Sequence, residues 1–386
     1  MTPEARAWFA RRTHRAADWS LSDLLRAKSD LGRRISVVIP ARDEQDTIGD
    51  VVSTLRSALV RELPLVDELV VMDSDSVDAT AQVALAAGAR VHAVAAVRPD
   101  LGWLPGKGEA VWKSLFVTTG DLLVFVDADL TLFGPHFVTG LLGPLLTEPD
   151  VLLVKGFYDR ILDLGDRPST EGGRVTELVA RPLLDVWWPD LAAVVQPLAG
   201  EWAARRSLMT ALPVPAAYGV ELATLIDTHA AHGLGAIAQV DLGARAHRHQ
   251  AVHDLAVMAA ELMVVADRRR PRPVDVPPPQ EPARAALWHY VRHSALSQAA
   301  DGAAVVAAGV LPADGAAAGG PGPAEPGASV HDHREKGGGA DGAAPGGWRS
   351  RPVPLVERPP AVTVPAPSSA GGPALPGPAP VGEGTC

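Results

Sequence analysis

The sequence predicts an α/β fold: a Rossmann-like, mostly parallel sheet flanked by helices, with a smaller second part. Two observations predict it. Short apolar runs and amphipathic stretches alternate as β-α-β-α-β-α-β between residues 35 and 129, the order that builds parallel sheets through helical crossovers. Three of the strands also end in polar clusters, Pro40–Glu44, Asp73–Ser76 and Asp127–Asp129. Such sheets bind ligands beyond the carboxyl ends of their strands.

Residues 1–33 are charged but carry Trp8, Phe9 and Trp19, and read as a helical lead-in. Ile35-Ser-Val-Val-Ile-Pro40 is a β-branched run closed by proline, which reads as a buried strand. From Asp46 onward, apolar residues at 48, 51, 52 and 55 form one helical face. Glu68–Asp73 is the second strand. Asp78–Gly88 is a helix opened by an acid and closed by glycine, and Ala89–Val94 is the third strand. Gly108–Thr119 reads as the third helix, and Leu122–Asp129 as a fourth strand running into two acids. Further on, Val151–Phe157 and Ile237–Leu242 read as strands, and Leu222–His229 as a helix. Gly172–Leu184 starts as a glycine-rich turn and becomes a helix, and 251–300 looks helical around a proline-rich loop at 268–282.

The 386 residues carry a net charge of -10, and 47% of them are hydrophobic, enough for a large core. Residues 301–386 hold 18 of the 37 Gly and 15 of the 35 Pro, a bias that opposes continuous helix or strand. The division expected is a lead-in at 1–33, a nucleotide-sugar-binding half at 34–135, an acceptor-binding and helical half at 136–300, and a largely disordered tail at 301–386. Within the tail, 302–350 is expected to be a flexible insertion, 352–364 a strip that docks back, and 365–386 a loose end. The acidic balance argues against a nucleic-acid binder. No apolar run is long enough to span a membrane, and the charged N-terminus lacks the apolar stretch of a signal peptide. Cys386 is the one cysteine, which excludes an intramolecular disulfide. A soluble, cytoplasmic protein is expected.

Asp127-Ala128-Asp129 suits a hard divalent cation held beside a diphosphate, because Mg²⁺ favours one or two carboxylates plus phosphate oxygens. Pro40–Glu44 and Asp73-Ser74 stand where a carboxylate reads ribose or base, although Asp43 and Asp46 also suit a helix N-cap. Leu104–Glu109 lacks Walker spacing, yet glycines and a lysine at a helix start fit a phosphate or base. Gly172–Thr176 would make an anion site from free backbone N–H groups, Arg174 and the Thr176 hydroxyl, apt for a small phosphorylated or carboxylated acceptor. In Ala244–His249, His247 could complete a metal site and Arg245 meet a phosphate; a basic surface loop fits as well. Glu221 is an early acid that either serves chemistry or stabilises its helix N-terminus. There is no G-x-S-x-G element.

These strings together resemble the glucosyl-3-phosphoglycerate synthases, retaining glycosyltransferases of GT-A fold. They are Ser36–Glu44, Asp73-Ser74, Pro105–Ala110, Phe125–Asp129, Gly172–Leu184, Gln196–Leu198, Tyr218–Glu221 and Ala238–Gly243. The resemblance runs in order through residues 8 to 265, and Gly172–Leu184 is its most specific part. It implies glucose transfer from a nucleoside diphosphate donor, usually UDP-glucose, to 3-phosphoglycerate, with Mg²⁺ or Mn²⁺ as cofactor. It implies that Pro40, Ala41, Glu44, Ser74, Lys107, Asp127 and Ala128 hold the donor, and that Asp129 and His247 ligate the metal. It implies that Gly173, Arg174, Val175 and Thr176 hold the acceptor with Tyr218 and Arg245 nearby, and that Glu221 faces the transferred sugar. Asp127, Asp129 and Glu221 form the catalytic set, and a homodimer is expected. The chain departs from the family at Ala128, usually Ser, at Lys155–Arg160, at Ala199, usually Gly, and at Arg248–Gln250. These departures bear on donor and acceptor choice. Competing readings are a relative that uses mannose or another phosphorylated acceptor, a sugar-1-phosphate nucleotidyltransferase, and a nucleotide-sugar sensor.

Overall fold

The computed structural model describes residues 1–162, 173–247, 252–271 and 356–366, all of one compact unit. The elements run α1 (Pro3–Arg12), β1 (Thr13–Arg15), α2 (Leu21–Asp30), β2 (Ile35–Ala41), α3 (Ile48–Leu55), β3 (Glu68–Asp73), α4 (Thr80–Ala87), β4 (Arg90–Ala93), α5 (Lys107–Ser114) and β5 (Leu122–Phe125). They continue with α6 (His136–Thr147), β6 (Leu153–Leu162), α7 (Arg181–Trp187), β7 (Trp202–Arg205), α8 (Arg206–Ala211), β8 (Val214–Pro215), α9 (Val220–His232), β9 (Ile237–His247), α10 (Val252–Arg269) and β10 (Glu357–Arg358).

Eight strands form one sheet in the order β1-β9-β6-β7-β5-β2-β3-β4. All pairs are parallel except those of β7, which runs against β5 and β6. Side chains alternate across a strand, and both faces are covered. Ile35, Val37 and Ile39 of β2 face a core shared with α2, α3, α4 and α6, while Val38 faces one shared with α1, α5, α7, α9 and α10. That double burial is why these strands read as unbroken apolar runs. The strand order reverses between β2 and β5, so a crevice opens at their carboxyl ends.

Several bounds differ from the sequence expectation. The fourth strand stops at Phe125, so Val126–Asp129 extend past the end of the sheet, with Val126 N bonding back to Val38 O at 3.1 Å. β6 and β9 run on to Leu162 and His247 because their polar ends pair with each other across a bulge between Phe157 and Asp159. The third helix ends at Ser114 rather than Thr119. The lead-in is helical but also supplies β1, which adds to the sheet edge beside β9.

Residues 356–366 lie against the body. Glu357 and Arg358 pair antiparallel with Pro215 and Val214. This is the described part of the strip expected at 352–364. α10 runs to Arg269, into the loop expected at 268–282; that loop from 272 on, the expected insertion at 302–350 and the chain after 366 lie outside the described residues.

Candidate active site

The rim of the crevice comes from the loops after β2 and β3. Ala41 O accepts from Ser74 N at 2.9 Å. Asp43 N donates to Ser76 Oγ (3.0 Å), Val77 N to Asp43 Oδ1 (2.8 Å), and Glu44 N to Thr80 Oγ1 (2.7 Å). Asp43 and Asp75 adopt φ of 55° and 58°, a left-handed conformation that short acidic side chains tolerate. Pro40 and Ala41 thus end β2, and Glu44 and Ser74 sit on the two loops that are locked to each other beyond it. Asp43 serves this lock, and α3 begins without a side-chain cap. Asp73 Oδ1 is buried at the end of β3 with no hydrogen-bond partner among the described residues. Such an acceptor fits a ribose hydroxyl or a base N–H.

The centre is a set of interlocked charges. Lys107 opens α5, and its Nζ lies 2.6 Å from both Asp127 Oδ1 and Glu221 Oε1. Burial works against the ammonium, but the two carboxylates outweigh it and hold Lys107 above the ordinary lysine range. Glycine makes the approach possible. A Cβ on Gly108 would fall 1.7 Å from Pro215 O, and one on Gly106 would fall 2.6 Å from Ala217 Cα. Glu221 sits in the first turn of α9, so its ion pair with Lys107 and a favourable helix position coexist.

Arg245, at the far end of β9, is 5% exposed. Its Nη2 donates to Asp129 Oδ1 at 2.7 Å and lies 3.1 Å from Asp127 Oδ2. Its Nη1 donates to Tyr158 OH at 2.8 Å and to Glu201 Oε2 at 3.2 Å. Burial opposes the guanidinium's charge, and the surrounding acids and Tyr158 override it. Glu201 is wholly buried, which pushes its carboxyl up while Arg245 pulls it down. Lys155, also buried, donates to Ala199 O at 2.9 Å, and burial brings it down to about 7. Glu201, Tyr158 and Lys155 were not singled out from sequence as site residues. Lys155 and Tyr158 fall in the segment Lys155–Arg160, which was marked from sequence only as a departure from the family, and Glu201 stands just before β7.

Lys107, Asp127, Asp129, Glu221 and Arg245 are therefore brought together. Arg245, expected beside the acceptor, bridges Asp127 and Asp129 to Glu201. Ala128 packs into the core. Gly173 (φ 85°) precedes a π-turn over Thr176–Ala180, with Glu177 N bonding Gly173 O at 3.0 Å. Val175 and Thr176 are buried there and Arg174 is half-buried. Tyr218 is 44% exposed, and its backbone N donates to Glu261 Oε2. His247 ends β9 opposite Leu162, and its side chain lies outside the described residues.

A divalent cation fits the chemistry of this set. Four carboxyl groups, Asp127, Asp129, Glu201 and Glu221, face the cations Lys107 and Arg245. Asp127 and Asp129 already share one cationic partner, the Arg245 guanidinium. Among the described residues no three His, Cys, Asp or Glu side chains form a complete metal cluster.

Residues 36–193 match the model of the family described as glycosyl transferase family 2. The glucosyl-3-phosphoglycerate synthase of Mycolicibacterium paratuberculosis is 49% identical over 260 residues, 66% of this chain and 78% of that protein. The synthase of Petrotoga mobilis is 42% identical, covering 66% of this chain and 79% of its own. Among solved structures, the Mycobacterium tuberculosis synthase in complex with Mn²⁺, UDP-glucose and phosphoglyceric acid superposes with a TM-score of 0.60 at 48% identity. It covers 65% of this chain and 84% of that one. The same enzyme with Mn²⁺, UDP and glucosyl-3-phosphoglycerate gives 0.60 at 47% identity, over 66% of this chain and 85% of that one. A shared sheet order could be common to many transferases, but identity near one half across more than three quarters of a relative's length is not, and on that ground the chain belongs to the glucosyl-3-phosphoglycerate synthase family.

Proposed function

We propose that the protein transfers glucose, with retention, from UDP-glucose to the free hydroxyl of 3-phosphoglycerate, giving glucosyl-3-phosphoglycerate. The observation that carries this reading is the convergence of Lys107, Asp127, Asp129, Glu221 and Arg245 at the carboxyl end of the sheet, in a chain of that family. In this reading Pro40, Ala41, Glu44 and Ser74 hold the uridine part, and Asp127 the ribose side. Asp129 and His247 hold Mg²⁺ or Mn²⁺, and a bound ion supplies Lewis acidity for the departing diphosphate. Lys107 and Arg245 add fixed positive charge where the leaving group gathers negative charge.

Arg174, Thr176 and the backbone N–H groups after Gly173 hold the acceptor's anionic groups and present its hydroxyl, so their contribution is orientation. Retention requires attack from the leaving-group face or a covalent intermediate. Glu221 is the one carboxylate proposed for the second route, but its Oε1 is engaged by Lys107 at 2.6 Å. That engagement favours same-face attack, with a departing phosphate oxygen accepting the hydroxyl proton.

The test is incubation with UDP-glucose, GDP-glucose or GDP-mannose, each with 3-phosphoglycerate and Mg²⁺ or Mn²⁺, followed by product mass. A hexosyl-phosphoglycerate from UDP-glucose is expected. Product from GDP-mannose alone, or none from any donor, would overturn the reading. The same reading makes the protein a cytoplasmic homodimer, checked by light scattering and cell fractionation. No helix among the described residues is long and apolar enough to cross a membrane.

A further inference from the structure

We propose that the strip 356–366 is a positioning element of the active site, with Arg358 acting through Glu109 to set the Lys107–Glu221 pair. The strip joins the body at elements that carry this pair. β10 pairs with β8, and Ala216 N bonds Val356 O at 3.1 Å. Trp112 Nε1, on α5, donates to Pro359 O at 2.9 Å. Arg269, on α10, joins Glu357 (2.6 Å) to Asp227 of α9 (2.8 Å). The strip thereby ties α5, β8, α9 and α10 together. It arrives there from beyond residues 272–355, so these contacts, rather than a short connection, hold it in place.

The closest link to the site is Arg358. Its Nε and Nη2 donate to Glu109 Oε2 and Oε1, both at 2.7 Å, in a forked pair. The guanidinium also lies 5.0 Å from the Trp112 ring centroid and donates to Leu101 O at 2.9 Å. Glu109 is fully buried and stands two residues past Lys107. Its own N donates to Ala216 O at 2.8 Å, and Gly108 N donates to Ala217 O at 3.2 Å. The first turn of α5 is thus held on one side by the loop leading to Tyr218 and Glu221, and on the other by the strip. Lys113 lies 3.6 Å from Glu109, but its ammonium donates to Val94 O and Gly102 O. A buried carboxylate that loses its forked partner must shift or take up a proton. A shift there moves Lys107, whose contacts to Asp127 and Glu221 are both 2.6 Å.

The inference rests on the transferase reading above, and the experiment separates the two. Full-length protein carrying Arg358→Ala with Glu109→Gln removes the anchor without leaving a buried unpaired carboxylate. kcat and KM for both substrates, the affinity for UDP with Mn²⁺, and Tm are measured beside the unaltered protein. Because positioning is lost at the donor side, kcat/KM for UDP-glucose and UDP affinity are expected to fall about ten-fold or more, with KM for 3-phosphoglycerate within about two-fold. Donor parameters within about two-fold of the unaltered protein, or an equal loss on both substrates, would overturn the proposal. If the double variant does not fold, Arg358→Lys, which keeps the charge but not the fork, carries the same readout with a smaller loss of the same pattern. An unaltered protein that makes no product refutes the transferase reading, while its UDP affinity against the variant's still decides the role of the strip.

Discussion

Arg245 is the residue on which most of the site's charge converges, because it touches Asp127, Asp129, Glu201 and Tyr158 at once. Breaking a buried pair by removing one partner costs about 3–5 kcal/mol. Glu201→Ala is therefore expected to cost about 3 kcal/mol in denaturant unfolding, since Arg245 keeps its other partners; an unchanged midpoint would show that the pair carries no load. Asp129→Ala removes a carboxylate from the proposed metal set and should lower metal-dependent transfer about a hundred-fold or more. Full activity in that variant would sink the metal assignment. Lys155 makes a pH prediction. Its folded value of about 7 lies below the ordinary 10.5, so between those values the unfolded chain holds the extra proton and stability rises with pH. Lys155→Met should flatten that rise between pH 7 and 10 in melting experiments and be the more stable protein at pH 6. Asp127, Asp129, Lys107 and Arg245 were legible from sequence because each stands next to a strand end or helix start. Glu201, Tyr158 and Lys155 were not, because their significance depends on neighbours far away in sequence, such as Arg245 to Glu201 across 44 residues.

At the scale of elements, β3 was read to its last residue, since its run is apolar on both faces and stops at an acid. Errors gathered where pairing, not local pattern, sets the length. β6 and β9 continue through polar residues because each completes the other's hydrogen bonds. β1 could not be read at all. It is a three-residue edge strand whose partner, Gln239–Asp241, lies more than 220 residues on. The contact between α5 and β8 gives the clearest test at this scale. Gly108→Ala would drive a methyl to 1.7 Å from Pro215 O, a backbone atom that cannot rotate away. α5 must then withdraw from the loop that holds Tyr218. Overpacking of this kind costs about 1–3 kcal/mol, and Lys107 would lose its position. The expected result is a lower Tm together with weaker UDP binding; unchanged UDP affinity would mean that Lys107 does not depend on this approach.

For the whole molecule, the contrast between an apolar body and a glycine- and proline-rich C-terminal segment at 301–386 divides the chain less cleanly than composition suggests. Residues 356–366 belong to the same compact unit as the sheet, and they are joined to it through a buried carboxylate. Proline favours this arrangement, because Pro359 and Pro360 follow a two-residue strand and end its pairing where the chain must turn. Composition alone marks such a segment as unstructured, since it buries little by itself. What it gains comes from partners on α5, β8 and α10, and those partners can be seen only once the fold has brought them together. Two truncations put this to the test. A chain ending at 366 keeps the described strip contacts and serves as the reference. A chain ending at 351 loses Arg358 from Glu109 and Glu357 from Arg269. Losing the first pair alone leaves a carboxylate buried without its main partner, a change worth about 3–5 kcal/mol. In a body of this size that corresponds to a drop of several degrees in Tm. Equal melting of the two truncations would mean that the strip rests on the body without stabilising it, and a dependence of activity on Arg358 would then need another cause.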